Sequence, residues 1–150
     1  MGILAEALLS QDNRPQVIRD CARLIDEEVA RKTGISGMAI KGGYKMFKKV
    51  KPTAVEDAMD SLLDEFVEKL DPVYEEYRSS AKDETLERFL VRNGPRIADT
   101  LLEITDARAE NTPHRVIKKA YMKLRPMASK QVQEALPAVS RLVERYVGEH

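Results

Sequence analysis

The sequence contains few of the residues that form cross-links or reactive sites. Its 150 residues include one cysteine, Cys21, so no disulfide can form within the chain, which agrees with a reducing compartment. Apolar runs are only a few residues long, too short to cross a membrane, and residues 1–10 lack the pattern of a secretory leader. We therefore expect a cytoplasmic protein that has no transmembrane segment.

Groups that hold metals or cofactors are also scarce. The two histidines, His114 and His150, are isolated in sequence, the first expected to be solvated and the second mobile at the terminus. No Glu-x-x-His pair or nucleotide-binding fingerprint occurs. Cys21 lies in the apolar stripe of a helix, which favours a buried structural thiol over a nucleophile. We therefore predict no catalytic residue, cofactor or metal, and a non-enzymatic protein is favoured.

Charged residues are abundant but unevenly distributed. They make up 33% of the chain and sum to zero net charge. Residues 37–51 hold five lysines and no acid, residues 52–90 hold twelve acids and four bases, and residues 111–133 hold six bases and no acid. The surface should therefore be electrically polarised despite its neutral sum.

Apolar residues recur at helical spacing along nearly the whole chain, and nothing alternates as a strand would. This pattern predicts one all-α domain over residues 1–150, a bundle of about seven or eight helices. Asn13 is expected to cap a helix that ends at Gly34, and Asp71-Pro72 to end one helix and start another. Pro126 should likewise end or kink a helix that opens at Thr112-Pro113.

A weak internal likeness appears at an offset of 74 residues. Residues 47–54 match residues 121–128, with Lys49, Pro52 and Ala54 identical to their counterparts. In both places a basic helix runs into proline and a long amphipathic segment follows. Duplication would give two similar three-helix halves about a pseudo-twofold axis, whereas chance is the alternative because helix–Pro–helix is common.

Four glycines, Gly34, Gly37, Gly42 and Gly43, are the most unusual local feature. Two adjacent glycines inside a helix cost about 1 kcal/mol each relative to alanine, which indicates a purpose. The favoured interpretation is close approach of another helix backbone, and the other is space at a ligand-facing surface.

The two acid-free segments are the candidate binding region. The basic side chains they carry are Lys41, Lys45, Lys48, Lys49 and Lys51 in the first segment, and Arg115, Lys118, Lys119, Lys123 and Arg125 in the second. A solvated face that offsets the acidic block would also explain them. Sequence-specific nucleic acid binding is not expected, because the domain is not basic overall and no Asn or Gln is displayed for base readout.

Three functional hypotheses follow. The leading one is a binding or scaffold protein that contacts a protein partner through residues 34–51, together with residues 115–125. The second is a peripheral membrane or anionic-ligand binding protein that uses the same lysines. The third is an enzyme with an unrecognised carboxylate-based site.

Several short motifs resemble an uncharacterised bacterial family of small all-helical proteins of unknown function. They are GISG at 34–37, KKVKP at 48–52, LLDEF at 62–66, LDPVY at 70–74, TDARA at 105–109 and KAY at 119–121. The resemblance covers most of the chain. It implies fold and localisation, and it supplies no catalytic residue.

Overall fold

A computed structural model describes residues 2–80 and 83–147, and within these ranges the chain forms seven helices and no strand. The helices are α1 (Ile3–Leu8), α2 (Arg14–Ala30), α3 (Gly34–Lys48), α4 (Ala54–Ser80), α5 (Leu86–Arg92), α6 (Gly94–Asn111) and α7 (Arg115–Val147). The predicted all-α helical bundle is therefore confirmed. His150 lies outside the described residues.

The main core lies where α1, α2, α4, α5 and α6 meet the C-terminal half of α7. Val17, Phe89, Ile97 and Leu136 are each at most 1% exposed there. These residues occupy the apolar stripes that the helical spacing predicts, and burial of their side chains stabilises the fold. The C-terminal half of α7 therefore packs into the main core, whereas its N-terminal half lies outside the main core.

The predicted helix restart at Asp71-Pro72 is wrong, because α4 continues through Pro72 to Ser80. Pro72 lacks an amide hydrogen, but the carbonyl that it leaves unpaired belongs to the exposed Glu68 and can reach water. The carboxylate of Asp71 instead accepts hydrogen bonds from the amides of Leu4 at 2.7 Å and Ala5 at 3.2 Å. Asp71 therefore caps α1 across the bundle rather than its own helix.

The predicted boundary at Pro126 is also absent, since α7 runs unbroken through both Pro126 and Pro137. Four residues before Pro126 lies Met122, whose side chain is 63% exposed, so its carbonyl also lies in a solvated turn. At the matching position, Pro52 lies in the link between α3 and α4. The helix–Pro–helix likeness behind the proposed duplication is therefore not reproduced in the local structure.

The start and end of α2 follow the sequence signals only in part. Asn13 precedes α2, but its side chain makes no cap and instead donates to the carbonyl oxygen of Ala7 at 2.8 Å. The predicted capping role is therefore wrong. Gly34 has a φ of 74°, the left-handed conformation expected at the end of a helix, and it joins α2 to α3.

Helix α3 packs antiparallel to the N-terminal half of α7. Near the start of α3, Lys32 Nζ lies 2.7 Å from Glu134 Oε1, and further along α3 Gly43 lies against Leu124. A Cβ at Gly43 would be 2.9 Å from Leu124 Cγ, whereas a Cβ at Gly42 would meet nothing within 4 Å. Gly43 therefore allows close packing, but its neighbour is the side chain of Leu124 and not the predicted helix backbone. Gly42 has no such role, because nothing packs against it.

Candidate functional site

Two of the predicted basic residues of the first segment form ion pairs with neighbouring helices. Lys48 Nζ lies 3.3 Å from Asp26 Oδ1 on α2 and 5.2 Å from the centroid of the Tyr44 ring. Lys51 Nζ lies 2.6 Å from Asp57 Oδ2, and its hydrogen bond lowers the pKa of that carboxyl group. Both ammonium groups are therefore engaged within the protein.

Arg125 belongs to a polar cluster that joins α6 to α7. Its Nε lies 2.8 Å from Asp106 Oδ1, which also accepts a hydrogen bond from the Tyr121 hydroxyl at 2.5 Å. Thr105 Oγ1 lies 2.7 Å from that hydroxyl. The hydrogen bonds from Arg125 and Tyr121 lower the pKa of Asp106, whereas burial raises the pKa of Tyr121 to about 12. Arg125 is thus paired as well.

The other seven candidates are exposed, and in the part of the chain that the structure describes no carboxylate oxygen lies within 4.0 Å of them. We call them the basic outer surface: Lys41, Lys45, Lys49, Arg115, Lys118, Lys119 and Lys123. Their charges are therefore available to a partner molecule.

The acidic face of α4 is neutralised largely by arginines from outside the two acid-free segments. Arg14 lies 2.6 Å from Asp60, Arg96 lies 3.1 Å from Glu76, and Arg108 binds Glu65. Among the ten candidates, only Lys51 pairs with a carboxylate of α4 in the described ranges. In the described ranges, direct ion pairs with the acidic face of α4 therefore do not account for the basic outer surface.

Exposed apolar side chains occur on the same two segments. Five large apolar residues are exposed among the described positions: Ile35 at 89%, Met38 at 75%, Met122 at 63%, Val116 at 49% and Val91 at 48%. The first two belong to α3, the next two to the N-terminal half of α7, and Val91 to α5. Apolar groups and unpaired cations on the same segments are a feature of interaction surfaces.

The opposite faces of α3 and α7 turn inward. Lys45 and Lys49 each lie two residues from Phe47, which is about 200° around a helix, and Lys119 and Lys123 stand in the same relation to Tyr121. Phe47 and Tyr121 both line a cavity inside the bundle. These four cations of the basic outer surface therefore lie on the side of α3 and α7 opposite the cavity.

The cavity, which we call the inner groove, has a volume of about 850 Å³ and lies between α3, α4, α6 and α7. Apolar side chains form most of its wall. They are Phe47, Val50, Ala54, Ala58, Leu62, Ala109, Ile117, Ala120 and Leu124, with the rings of Tyr44 and Tyr121.

Several polar residues of the groove lining lie at one end of the bundle, which we call the mouth. The C-terminal ends of α3 and α6 and the N-terminal ends of α4 and α7 meet there. Lys51, Asp57 and His114 lie at this mouth, where Lys51 pairs with Asp57, whereas Arg108 lies further along the groove wall and binds Glu65. The charged side chains near the mouth are therefore largely paired with each other, next to an apolar interior.

The inner groove could not be predicted from the sequence. Tyr44 and Phe47 recur at helical spacing in α3, as do Ile117, Tyr121 and Leu124 in α7, and each set lines the groove. Periodicity shows that such a stripe faces inward, but it does not show whether the facing helices fill the space between them. One feature of the sequence was consistent with a groove. Both stripes carry aromatic side chains near the links that join α3 to α4 and α6 to α7.

The single cysteine is not in a reactive setting. Cys21 packs against the core, and burial raises the pKa of its thiol to about 12, so the predicted structural role is supported by its surroundings. In the described ranges, no three His, Cys, Asp or Glu side chains are grouped closely enough to hold a metal ion. His114 is exposed, as expected, and precedes α7 at the groove mouth.

None of the helices in residues 2–80 and 83–147 combines the length and the apolar character needed to cross a membrane. Neither the curated proteins nor the solved structures include a match to this chain. A family model described as a family of unknown function, DUF6918, matches residues 4–147. The match spans nearly the whole sequence, and the chain therefore belongs to this family of unknown function.

Proposed function

We propose that this protein is a non-enzymatic helical binding protein whose basic outer surface contacts an acidic surface of a partner protein. The observation that carries the proposal is the coincidence of unpaired cations and exposed apolar side chains on α3 and the N-terminal half of α7. Ile35 and Met38 would supply the apolar contact, and the lysines around them would select acidic neighbours.

The cations of the basic outer surface contribute little to the stability of the fold. Ion pairs stabilise exposed surfaces only weakly, so unpaired lysines cost the fold little. Seven such cations without a nearby acid repel one another and create a positive potential. An acidic partner would relieve that repulsion, and it would associate faster at low ionic strength.

The test is a triple charge reversal, Lys41→Glu, Lys45→Glu and Lys49→Glu, in the full chain. Purified tagged protein is used to recover partners from the native cell, and each partner is then measured by direct titration. We expect the affinity to fall at least tenfold, because like charges across an interface are strongly unfavourable. Ile35→Ser with Met38→Ser should weaken the same partner.

A matched control reverses three exposed cations outside the two segments, Lys69→Glu, Arg78→Glu and Arg88→Glu, which changes the net charge equally. This control should leave the affinity unchanged. Equal loss in both triple variants, or no loss in either, would show that net charge or another surface is responsible and would overturn the proposal.

An anionic membrane surface is the second candidate, favoured by the exposure of Ile35 and Met38 beside lysines. It ranks below a protein because an interfacial helix must insert a continuous apolar face. In α3 that face, with Ile40 and Phe47, turns into the bundle. Sedimentation with phosphatidylglycerol vesicles at low and high salt tests it, and absence of binding at low salt excludes it.

We further propose a cytoplasmic location in a bacterial cell. The free thiol of Cys21 and the resemblance noted in the sequence support this location. Fractionation of the native cell, with detection of the untagged protein, tests it. Recovery in the extracellular fraction would contradict the proposal.

A further inference from the structure

Helices α6 and α7 form an antiparallel hairpin at the surface of the bundle. The short link at residues 112–114 joins them, Asp106 binds Arg125 near this link, and Gly94 lies against Gln133 further from it. The N-terminal half of α7 therefore runs beside the C-terminal half of α6, in the opposite direction.

Exposed acids form a stripe along α6, which we call the acidic stripe. Asp99, Glu103 and Glu110 lie within about 40° of one another around the helix. In the part of the chain that the structure describes, no cation lies within 4.0 Å of these three carboxylates. Asp106 lies on the same side of α6 and binds Arg125, so the acidic stripe borders α7.

The adjacent surface of α7 is the α7 part of the basic outer surface: Arg115, Lys118, Lys119 and Lys123. Arg115 and Lys118 lie in the first turn of α7, and Glu110 lies in the last turn of α6. Each of these charges has the sign that the helix dipole disfavours at that end. Stability of the two helices therefore does not explain why opposite charges lie side by side.

The two sets of charges match in position along the hairpin. Glu103 lies eight residues before the end of α6, and Lys123 lies eight residues after the start of α7, so each is about 12 Å from its end of the link. Glu110 and Arg115 both lie close to the link. A twofold axis parallel to the hairpin, in the plane of its outer face, would lay α7 of one copy over α6 of the other at the same level. Lys123 would then face Glu103, and Arg115 would face Glu110, twice in each dimer.

We propose that the outer face of the α6–α7 hairpin binds a second copy of this chain in a symmetric dimer. A twofold interface requires a self-complementary surface, which the two sets of charges provide. The zero net charge of the chain also imposes little repulsion between copies. Met122, which is 63% exposed on the same stretch of α7, would supply apolar contact.

This inference rests on the proposed function, because it names the partner of the α7 part of the basic outer surface. Lys41, Lys45 and Lys49 on α3 lie outside the dimer contact and remain available to another protein. The two proposals can therefore be tested by separate variants.

The test is sedimentation equilibrium of the purified full chain over a range of concentrations, at low and high sodium chloride. We expect a species of twice the mass of one chain that becomes more abundant with concentration at low salt. Its dissociation constant should rise at least tenfold at about 0.5 M salt, because exposed charges are screened.

Two triple variants separate charge complementarity from other causes of association. The first reverses three cations of α7 by Lys118→Glu, Lys119→Glu and Lys123→Glu, and the second reverses the acidic stripe by Asp99→Lys, Glu103→Lys and Glu110→Lys. Each variant alone should dimerise at least tenfold more weakly, because like charges would face each other. An equimolar mixture should form a heterodimer, because each stripe then faces one of opposite sign.

The variant with Lys69→Glu, Arg78→Glu and Arg88→Glu is the matched control, since it has the same net charge as the first variant and should dimerise as the unmodified protein does. Circular dichroism checks that each variant folds. If a triple variant does not fold, Glu103→Gln with Glu110→Gln should still weaken the dimer.

A monomer at every concentration in low salt, a dimer that does not respond to salt, or a mixture that fails to associate would overturn the dimer. The reversal of Lys41, Lys45 and Lys49 should leave the dimer intact. A monomeric chain whose α3 reversal still weakens binding to another protein would refute the dimer alone. A dimer that forms while the α3 reversal weakens no partner would refute the proposed contact through α3 alone.

Discussion

The capping of α1 by Asp71, a residue of α4, gives a quantitative test of the fold. Asp71 accepts hydrogen bonds from the amides of Leu4 and Ala5, and Asp71→Ala removes both acceptors at once. Loss of a helix cap costs about 0.5–2 kcal/mol, and hydrogen bonds to a charged group contribute about 1.5–3 kcal/mol. Because these amides are only partly buried, water can replace the carboxylate, and we expect a net loss of about 2 kcal/mol.

For a domain of this length, a loss of about 2 kcal/mol lowers the melting temperature by roughly 4–8 °C. Thermal unfolding followed by circular dichroism measures the shift. Glu68→Ala on the same helix is the control. Its side chain is exposed and, within residues 2–80 and 83–147, has no ion pair or hydrogen bond, so it should change stability by less than about 0.5 kcal/mol.

Hydrogen exchange distinguishes capping of α1 by Asp71 from capping of a helix that would start at Pro72. If Asp71 caps α1, the amides of Leu4 and Ala5 should lose protection in Asp71→Ala, whereas amides just after Pro72 should keep theirs. The opposite pattern would show that Asp71 starts a separate helix, as the sequence suggested, and it would refute the cross-bundle cap. Equal protection of Leu4 and Ala5 in both proteins would refute it too.

Two further predictions concern α2 and α3. Burial raises the pKa of Asp20, but hydrogen bonds, led by the one from Tyr146 at 2.5 Å, outweigh burial and hold the pKa below its usual value. The carboxylate therefore stabilises the fold above about pH 4 and loses this effect as pH falls through the folded-state value. Urea unfolding should show that Asp20→Asn is less stable than the unmodified protein at pH 7. The difference between their free energies of unfolding should become smaller at low pH. A difference in the free energy of unfolding that stays constant with pH would contradict this prediction. Gly42→Ala should raise stability by up to about 1 kcal/mol, whereas Gly43→Ala should lower it, because its Cβ would crowd Leu124. The same sign of melting-temperature change in both glycine variants would contradict the close packing.

Most of the helical architecture could be predicted from residues close together in sequence. Apolar spacing located the stripes of α2, α4 and α6, and Gly34 correctly indicated a left-handed turn. Proline was the least reliable signal. Pro72 and Pro126 each remove one backbone donor, at a cost of about 3 kcal/mol or more in an isolated helix. Packing of α4 and α7 along both sides of each proline outweighs that cost.

The identity of the basic residues in the candidate site could be predicted from the sequence, but their ion pairs could not. All ten basic residues were identified from the acid-free segments, yet nothing local distinguished Lys51, which pairs with Asp57, from Lys49, which is unpaired. Ion pairing between helices depends on which faces meet. The inner groove was missed for the same reason, because its walls come from four helices separated by long stretches of sequence.

Sequence by itself determined the all-helical class, the core stripes and the two basic segments, because hydrophobic periodicity and charge act over a few residues. Tertiary structure alone decided that α3 packs antiparallel to α7, that the arginines of α2 and α6 neutralise the acidic face of α4, and that an apolar groove remains behind the basic outer surface. These features depend on distances between helices, which are set by the packing of the whole bundle.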